Sequence, residues 1–147
     1  MTEPKTIALV TGATGAPDLH ECLASVNHVE SDPRLRVEHW VVIDGDEYRE
    51  AVEAICTQVP ASPELTRRVI ALPKNTGRDG GAYLCHRVIA ATSYMVPDTW
   101  WMAVLDQDTR LDPSHIRRIA DAMDRVPTAR WGYTLRMVTD GEITVPD

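Results

Sequence analysis

Two carboxylates one residue apart, Asp106 and Asp108, stand where an apolar run stops, in WWMAVLDQDTRLDP from Trp100 to Pro113. Residues Trp101 to Leu105 read as a buried strand, because a short apolar run bounded by polar and proline residues is too brief for a surface helix. The acidic pair then falls at a strand's carboxyl end, which is where ligands bind in an open α/β sheet. Side chains alternate along a strand, so Asp-x-Asp puts both carboxylates on one side. Hard oxygen donors of this kind suit Mg²⁺ or Mn²⁺, ions that commonly arrive bridged to a substrate phosphate. Solvated loop acids ahead of a helix opened by Asp112-Pro113 are the plainer account, and the tripeptide alone does not choose between the two.

The elements that would position this pair alternate along the chain. Thr6 to Thr11 is an apolar, β-rich run followed by the turn GATGAP, and Pro17 and Asp18 open a helix with Leu19, Cys22, Leu23 and Val26 on one face. Val37 to Ile43 forms a second strand ending in Asp44-Gly45-Asp46, and a helix follows from Glu47 to Gln58 with Ala51, Val52 and Ile55 inward. Arg68 to Leu72 is a third strand. The segment KNTGRDGGAY, Lys74 to Tyr83, leads into a helical pattern at Leu84, Val88, Ile89 and Ala91. Its glycines allow backbone to approach a ligand, and the helix N-terminus behind them offers N–H groups to an anion. Beyond the acidic pair a helix runs from Pro113 through Ile116, Ile119, Ala120 and Met123 to Pro127, and Trp131 to Val138 reads as a last strand. This alternation predicts a three-layer α/β/α sandwich with a mostly parallel sheet, one domain over residues 1–147.

Composition narrows the functional classes. A net charge of −7 and a pI near 5.1 argue against a nucleic-acid footprint, which needs a basic face, while leaving room for a local phosphate site. Cys22, Cys56 and Cys85 form no CxxC pair, which suits buried thiols in a reducing compartment. The N-terminus has no signal-like pattern and no apolar run reaches the length of a membrane span, so the expected location is the cytoplasm.

Two family resemblances compete. VTGATGAPD resembles the opening of the short-chain dehydrogenases, but Pro17 or Asp18 takes the place of the third glycine. The Tyr-x-x-x-Lys pair is missing too, since Tyr48, Tyr83, Tyr94 and Tyr133 are followed four residues on by Val52, Arg87, Asp98 and Met137. From Thr6 to Asp147 the motifs in their order resemble instead the nucleotide-sugar-binding part of a GT-A glycosyltransferase, close to family 2. VVIDGDE (Val41 to Glu47) is similar to that family's VVDDGS segment, LPKNTGRDGG (Leu72 to Gly81) to its NxGxxGG segment, and LDQDT (Leu105 to Thr109) stands where its DxD belongs. The stretch NTGRDGGAYLCHRVIAA and the later WGYTLR are similar to a subgroup with an HRIYAA helix and a WAYSLR strand.

This resemblance implies a set of roles. Thr11, Gly12 and Ala13 would line the nucleoside, and Asp44 would accept from the N3–H of a uracil-type base, a task suited to an acceptor-only carboxylate. A turn residue before Gly45 is the plainer account of Asp44. Asn75, Arg78 and Asp79 would contact the nucleotide or its diphosphate, Asp108 would be the principal metal ligand, and Asp106 would meet ribose or metal-bound water. For His86 a packing or capping role is expected. The implied reaction moves a sugar from a nucleoside diphosphate, a UDP-sugar, to an acceptor hydroxyl with Mn²⁺ or Mg²⁺ assisting. The family's base normally follows the DxD strand in a segment not seen here. The acceptor part is therefore expected either from a continuation of a chain truncated here or from a second chain or a homo-oligomer, and a nucleotide-sugar-binding module without turnover stays open. An NAD(P)-binding protein is the remaining alternative, and a sugar nucleotidyltransferase is disfavoured because GATG lacks the basic residue of that family's loop.

Overall fold

The computed structural model describes residues 3–77, 99–126 and 128. Four strands, β1 (Lys5–Ala13), β2 (Leu35–Ile43), β3 (Thr66–Ala71) and β4 (Thr99–Val104), form one sheet in the order β3-β2-β1-β4. Every pairing among them is parallel. Parallel neighbours need crossovers, and α1 (Asp18–Asn27) and α2 (Arg49–Gln58) supply two of them, while α3 (His115–Arg125) follows β4. The α/β class and the mostly parallel sheet are thus as expected. The helix expected at Leu84 to Ala91 and the strand expected at Trp131 to Val138 lie outside the described residues.

The central strands are apolar almost throughout because both faces of the sheet are buried. On one face Ile7, Leu9, Ala13, Val41 and Ile43 pack against Leu19, Cys22, Leu23 and Val26 of α1, Val52 of α2 and Ile116 of α3. The opposite face buries Ala8, Val10, Trp40 and Val42, with Ile70, Leu72 and Met102 packed against them. The α1 face read from the sequence is therefore the one buried. In α2 the expectation holds for Val52 but not for Ala51, which is exposed. Ala51 lies in the first turn of α2, over the turn after β1, where a Cβ built on Gly15 would come within 2.8 Å of its own Cβ. Gly15 also has φ of +73°, so packing and backbone both account for glycine there.

Element ends moved by a few residues for identifiable reasons. β1 runs on past its apolar stretch to Ala13, because Gly12 and Ala13 still pair with Val42 and Ile43. The helix after β2 is preceded by a tight helical turn, Asp46–Tyr48. α3 starts at His115 rather than at Pro113, since Asp112 accepts from both the amide (2.9 Å) and the hydroxyl (2.6 Å) of Ser114 and holds that turn outside the helix. At the other end of the sheet Arg67, opening β3, donates to the carbonyl of Val59 after α2, to the carbonyl of Leu23 (3.2 Å) and to Oδ1 of Asn27 (3.0 Å) in α1. One guanidinium thereby joins the C-terminal ends of two helices, where a cation also suits the helix dipoles.

Candidate functional site

The register aligns the carboxyl ends of the strands in one row. Ala13, Ile43 and Ala71 are successive partners across β1, β2 and β3, and Val104 of β4 lies opposite Val10, with the Leu105 amide donating to the Val10 carbonyl at 2.9 Å. The residues just beyond these ends are Thr14 after β1, Asp44 after β2, Leu72 to Gly77 after β3, and Asp106 to Asp108 after β4. Because β4 lies on the far side of β1 from β2, the order reverses between β1 and β4. A crevice opens at such a reversal, and it is the usual ligand site of a parallel sheet.

Asp44 is nearly buried, with 8% of its surface exposed. Its amide donates to the Ala13 carbonyl at 3.0 Å, which fixes the backbone. Its carboxylate is held by the loop after β3: Oδ1 accepts from the Thr76 amide at 2.9 Å and from the Thr76 hydroxyl at 2.8 Å, and Oδ2 lies 3.0 Å from the same hydroxyl. The loop is shaped by Asn75, whose Oδ1 accepts from the Gly77 amide at 2.6 Å and whose Nδ2 donates to the Tyr48 hydroxyl at 3.2 Å. It can seat this closely because Gly45 has no side chain, since a Cβ there would come within 2.8 Å of the Asn75 nitrogen.

Across the reversal, Gln107 joins β1 to the acidic turn. Its Oε1 accepts from the Thr14 amide and its Nε2 donates to the Thr14 hydroxyl, both at 3.0 Å. Asp106 and Asp108, on either side of it, are exposed. The Asp106 carbonyl accepts from the Thr109 amide at 2.9 Å and from the Cys22 thiol at 3.7 Å. Burial pushes that thiol up to about 11, so it is a protonated donor at neutral pH. Below this layer Thr11 is fully buried and shares a 3.0 Å hydrogen bond with Nε2 of His39, also fully buried. Burial drives the His39 imidazole down to about 3, with the charge of Arg67 acting in the same direction, so the ring is neutral.

The glycosyl transferase family 2 model matches residues 10–136, which is most of the chain and takes in each strand end just described. The chain belongs to glycosyl transferase family 2. Among solved structures it is similar to S. aureus TarS 1-349, with a TM-score of 0.57 and 20% identity over 82% of this chain and 32% of that one. For S. aureus TarS the TM-score is 0.58 and the identity 18%, over 82% of this chain and 20% of that one. TarS 1-349 in complex with UDP-GlcNAc gives a TM-score of 0.53 at 17% identity, over 82% of this chain and 31% of that one. The chain thus spans about a third or less of the length of these structures, and the likeness is one of fold. No curated protein matches the sequence.

Within this family 2 domain the predicted residues fall into three groups. Asp44, Asn75, Asp106, Asp108 and the Gly12–Ala13 backbone lie at the strand ends just described. The side chain of Thr11 points instead into the helix-covered core, onto His39. Arg78, Asp79 and His86 lie outside the described residues. Sequence reasoning assigns no site role to Gln107, Thr14, Thr76 or His39. Gln107 was visible as the residue between two acids and Thr76 as the variable residue of Asn-x-Gly, but only the fold shows what they hold. As a metal site, Asp106 and Asp108 supply hard oxygen donors, and the described residues contain no group of three or more His, Cys, Asp and Glu side chains suited to a metal. That donor set fits a divalent cation whose remaining ligands come from phosphate and water. Among the described residues no helix is long and apolar enough to cross a membrane.

Proposed function

We propose that this chain is the nucleotide-sugar-binding domain of a glycosyltransferase that uses a UDP-sugar with a divalent cation, Mn²⁺ or Mg²⁺. The observation that carries the reading is the placement of its acids. Asp44 beyond β2 and Asp106–Asp108 beyond β4 flank the end of β1 where the strand order reverses, in a family 2 chain. TarS 1-349, crystallised with UDP-GlcNAc and with UDP, lends support to a uridine donor. In this reading Asp44 accepts from the base N3–H, the Gly12–Ala13 backbone lies along the nucleoside, and Asn75, Arg78 and Asp79 meet the nucleotide or its diphosphate. Asp108 and Asp106 would hold the cation, which when bound stabilises negative charge on the departing diphosphate. Gln107 keeps the turn that carries both acids in register with β1.

Transfer also needs a base for the acceptor hydroxyl. Asp112 is tied to Ser114, Asp121 to Arg34, and Asp124 to Lys5, so the acids of the described segment beyond the acidic turn are committed elsewhere. Other sources are Asp140, Glu142 and Asp147, which lie outside the described residues, residues of a longer chain, or a second chain or copy that completes the site. The commitments of Asp112, Asp121 and Asp124 also favour a second reading, in which this chain binds the donor without turning it over by itself. Cys22 and Cys56 are free thiols, in keeping with a reducing, cytoplasmic setting.

Calorimetric titration with UDP, GDP and their sugars, with and without Mn²⁺, tests the proposal. Wild type should bind the uridine compounds more tightly with Mn²⁺ present, and Asp108→Asn should lose that gain. Equal binding by wild type with and without the ion would remove the metal from the mechanism, and no binding of any nucleoside diphosphate would remove the donor site. Metal-dependent glycoside formation by the purified chain would show that the base lies within these residues.

A further inference from the structure

We infer that Thr76 is a specificity-positioning residue: it holds the Asp44 carboxylate in the one orientation that selects a base carrying a proton at N3. The inference rests on the donor reading above and adds a residue that the reading does not require. Proton counting carries it. An ionised carboxylate has about four acceptor positions and no donor. Thr76 supplies two protons, one from its amide at 2.9 Å from Oδ1 and one from its hydroxyl, which lies 2.8 Å from Oδ1 and 3.0 Å from Oδ2. Two acceptor positions therefore remain once Thr76 is satisfied.

Orientation matters because the terminal torsion of an aspartate is broad, and an unheld carboxylate would spread its remaining lone pairs over many directions. Here both ends of the residue are fixed, the backbone by Ala13 and the side chain by Thr76. Thr76 is itself held from both sides. Asn75 spans from the Gly77 amide to the Tyr48 hydroxyl, and Gly45 lets this loop close over the end of β2. A carboxylate fixed in this way rewards an N–H and repels a lone pair. Uracil carries a proton at N3, whereas cytosine presents an acceptor there, so a rigid Asp44 separates UDP from CDP.

The test is the ratio of dissociation constants for CDP and UDP, measured by calorimetry on the full chain as wild type, Thr76→Val, Thr76→Ser, Asp44→Ala and the double variant. Thr76→Val keeps the amide and the shape but removes the hydroxyl. It should narrow the UDP preference by about tenfold, the worth of a hydrogen bond to a charged group. Thr76→Ser should restore the preference, and Thr76→Val should change nothing further once Asp44 is alanine. Should Thr76→Val fail to fold by urea denaturation, Thr76→Ala is read in its place. A UDP preference that is lost in Asp44→Ala but kept in both Thr76→Val and Thr76→Ala overturns the role of Thr76 alone. A preference kept in Asp44→Ala overturns base reading by Asp44 and this inference with it. A wild type without UDP preference, or without nucleotide binding, overturns the donor reading itself.

Discussion

Around the amino ends of β1 and β2, carboxylates meet cations. Arg34 grips Asp32 at 2.6 Å and Asp121 at 2.8 Å, Lys5 reaches Asp124 at 2.8 Å while lying over the Trp100 ring, and Arg117 meets Glu30 at 2.8 Å. Around the carboxyl ends, Asp44 and Asp106 take no ion pair with any other described residue. The hydroxyl and amide of Thr76 hold the Asp44 carboxylate there, the Asp44 amide donates to the Ala13 carbonyl, and a carboxamide ties Thr14 to the acidic turn. Both ends hold acidic side chains in place: beside the carboxyl ends Arg49 meets Asp46 at 2.7 Å and Arg110 pairs with Glu21, but Asp44 itself is held by neutral donors. Neutral donors orient a carboxylate without pairing it to a cation, so its remaining lone pairs can meet a metal ion or a base N–H. At the amino end, pairing removes that capacity and leaves a surface whose contribution to stability is small pair by pair.

Arg67→Ala is the largest expected break in this contrast. It removes the donor that joins the ends of α1 and α2, leaving the Leu23 and Val59 carbonyls and Asn27 without it, and should cost about 2–3 kcal/mol in urea denaturation. UDP affinity of the folded variant should be unchanged, because Arg67 serves the end away from the site. A parallel loss of affinity would mean that the two ends are mechanically coupled.

Buried His39 makes stability depend on pH. Its native value is depressed to about 3 from an ordinary 6.5, so between these limits the unfolded chain binds a proton that the native chain refuses. Stability should therefore fall as pH drops from about 6.5 toward about 3, by up to about 1.4 kcal/mol per pH unit. His39→Gln should flatten this slope above the range where carboxylates titrate. Denaturation midpoints at pH 5 to 7 for the two proteins give the comparison, and an unchanged slope would assign the acid sensitivity to other groups.

A smaller effect is expected at Gln107. Gln107→Ala should cost about 1 kcal/mol of stability, while raising the Kd for UDP with Mn²⁺ severalfold because the acidic turn is no longer held to β1. Affinity at the wild-type level would reduce Gln107 to a turn stabiliser. The smallest change is Lys5→Met, which keeps an apolar stem over Trp100 and should cost under about 1 kcal/mol. That difference should vanish in concentrated salt, since screening removes an exposed pair but spares the buried clasps at the other end.

Much of the fold was legible because it depends on local pattern. The stripe Leu19, Cys22, Leu23 and Val26 names the buried face of α1 directly, and the apolar runs ending at Ile43 and Leu105 fix where acids leave the sheet. Ala51 was misplaced because a 3.6-residue period cannot show that the first turn of α2 rides over Gly15. The family resemblance puts Thr11 along the nucleoside, but its side chain turns into the core. Its neighbours in sequence do not reveal that its hydroxyl meets a histidine 28 positions away.

The sequence by itself determined the order of strands and helices, the acids at strand ends and the family, since each depends on residue type and short-range spacing. The tertiary structure decided which of those acids are held and by what. Thr76 reaches Asp44 over 32 positions and Gln107 reaches Thr14 over 93, and no local pattern encodes either pairing. Parallel register alone brings these residues into one row, because it sets strand ends from distant parts of the chain side by side.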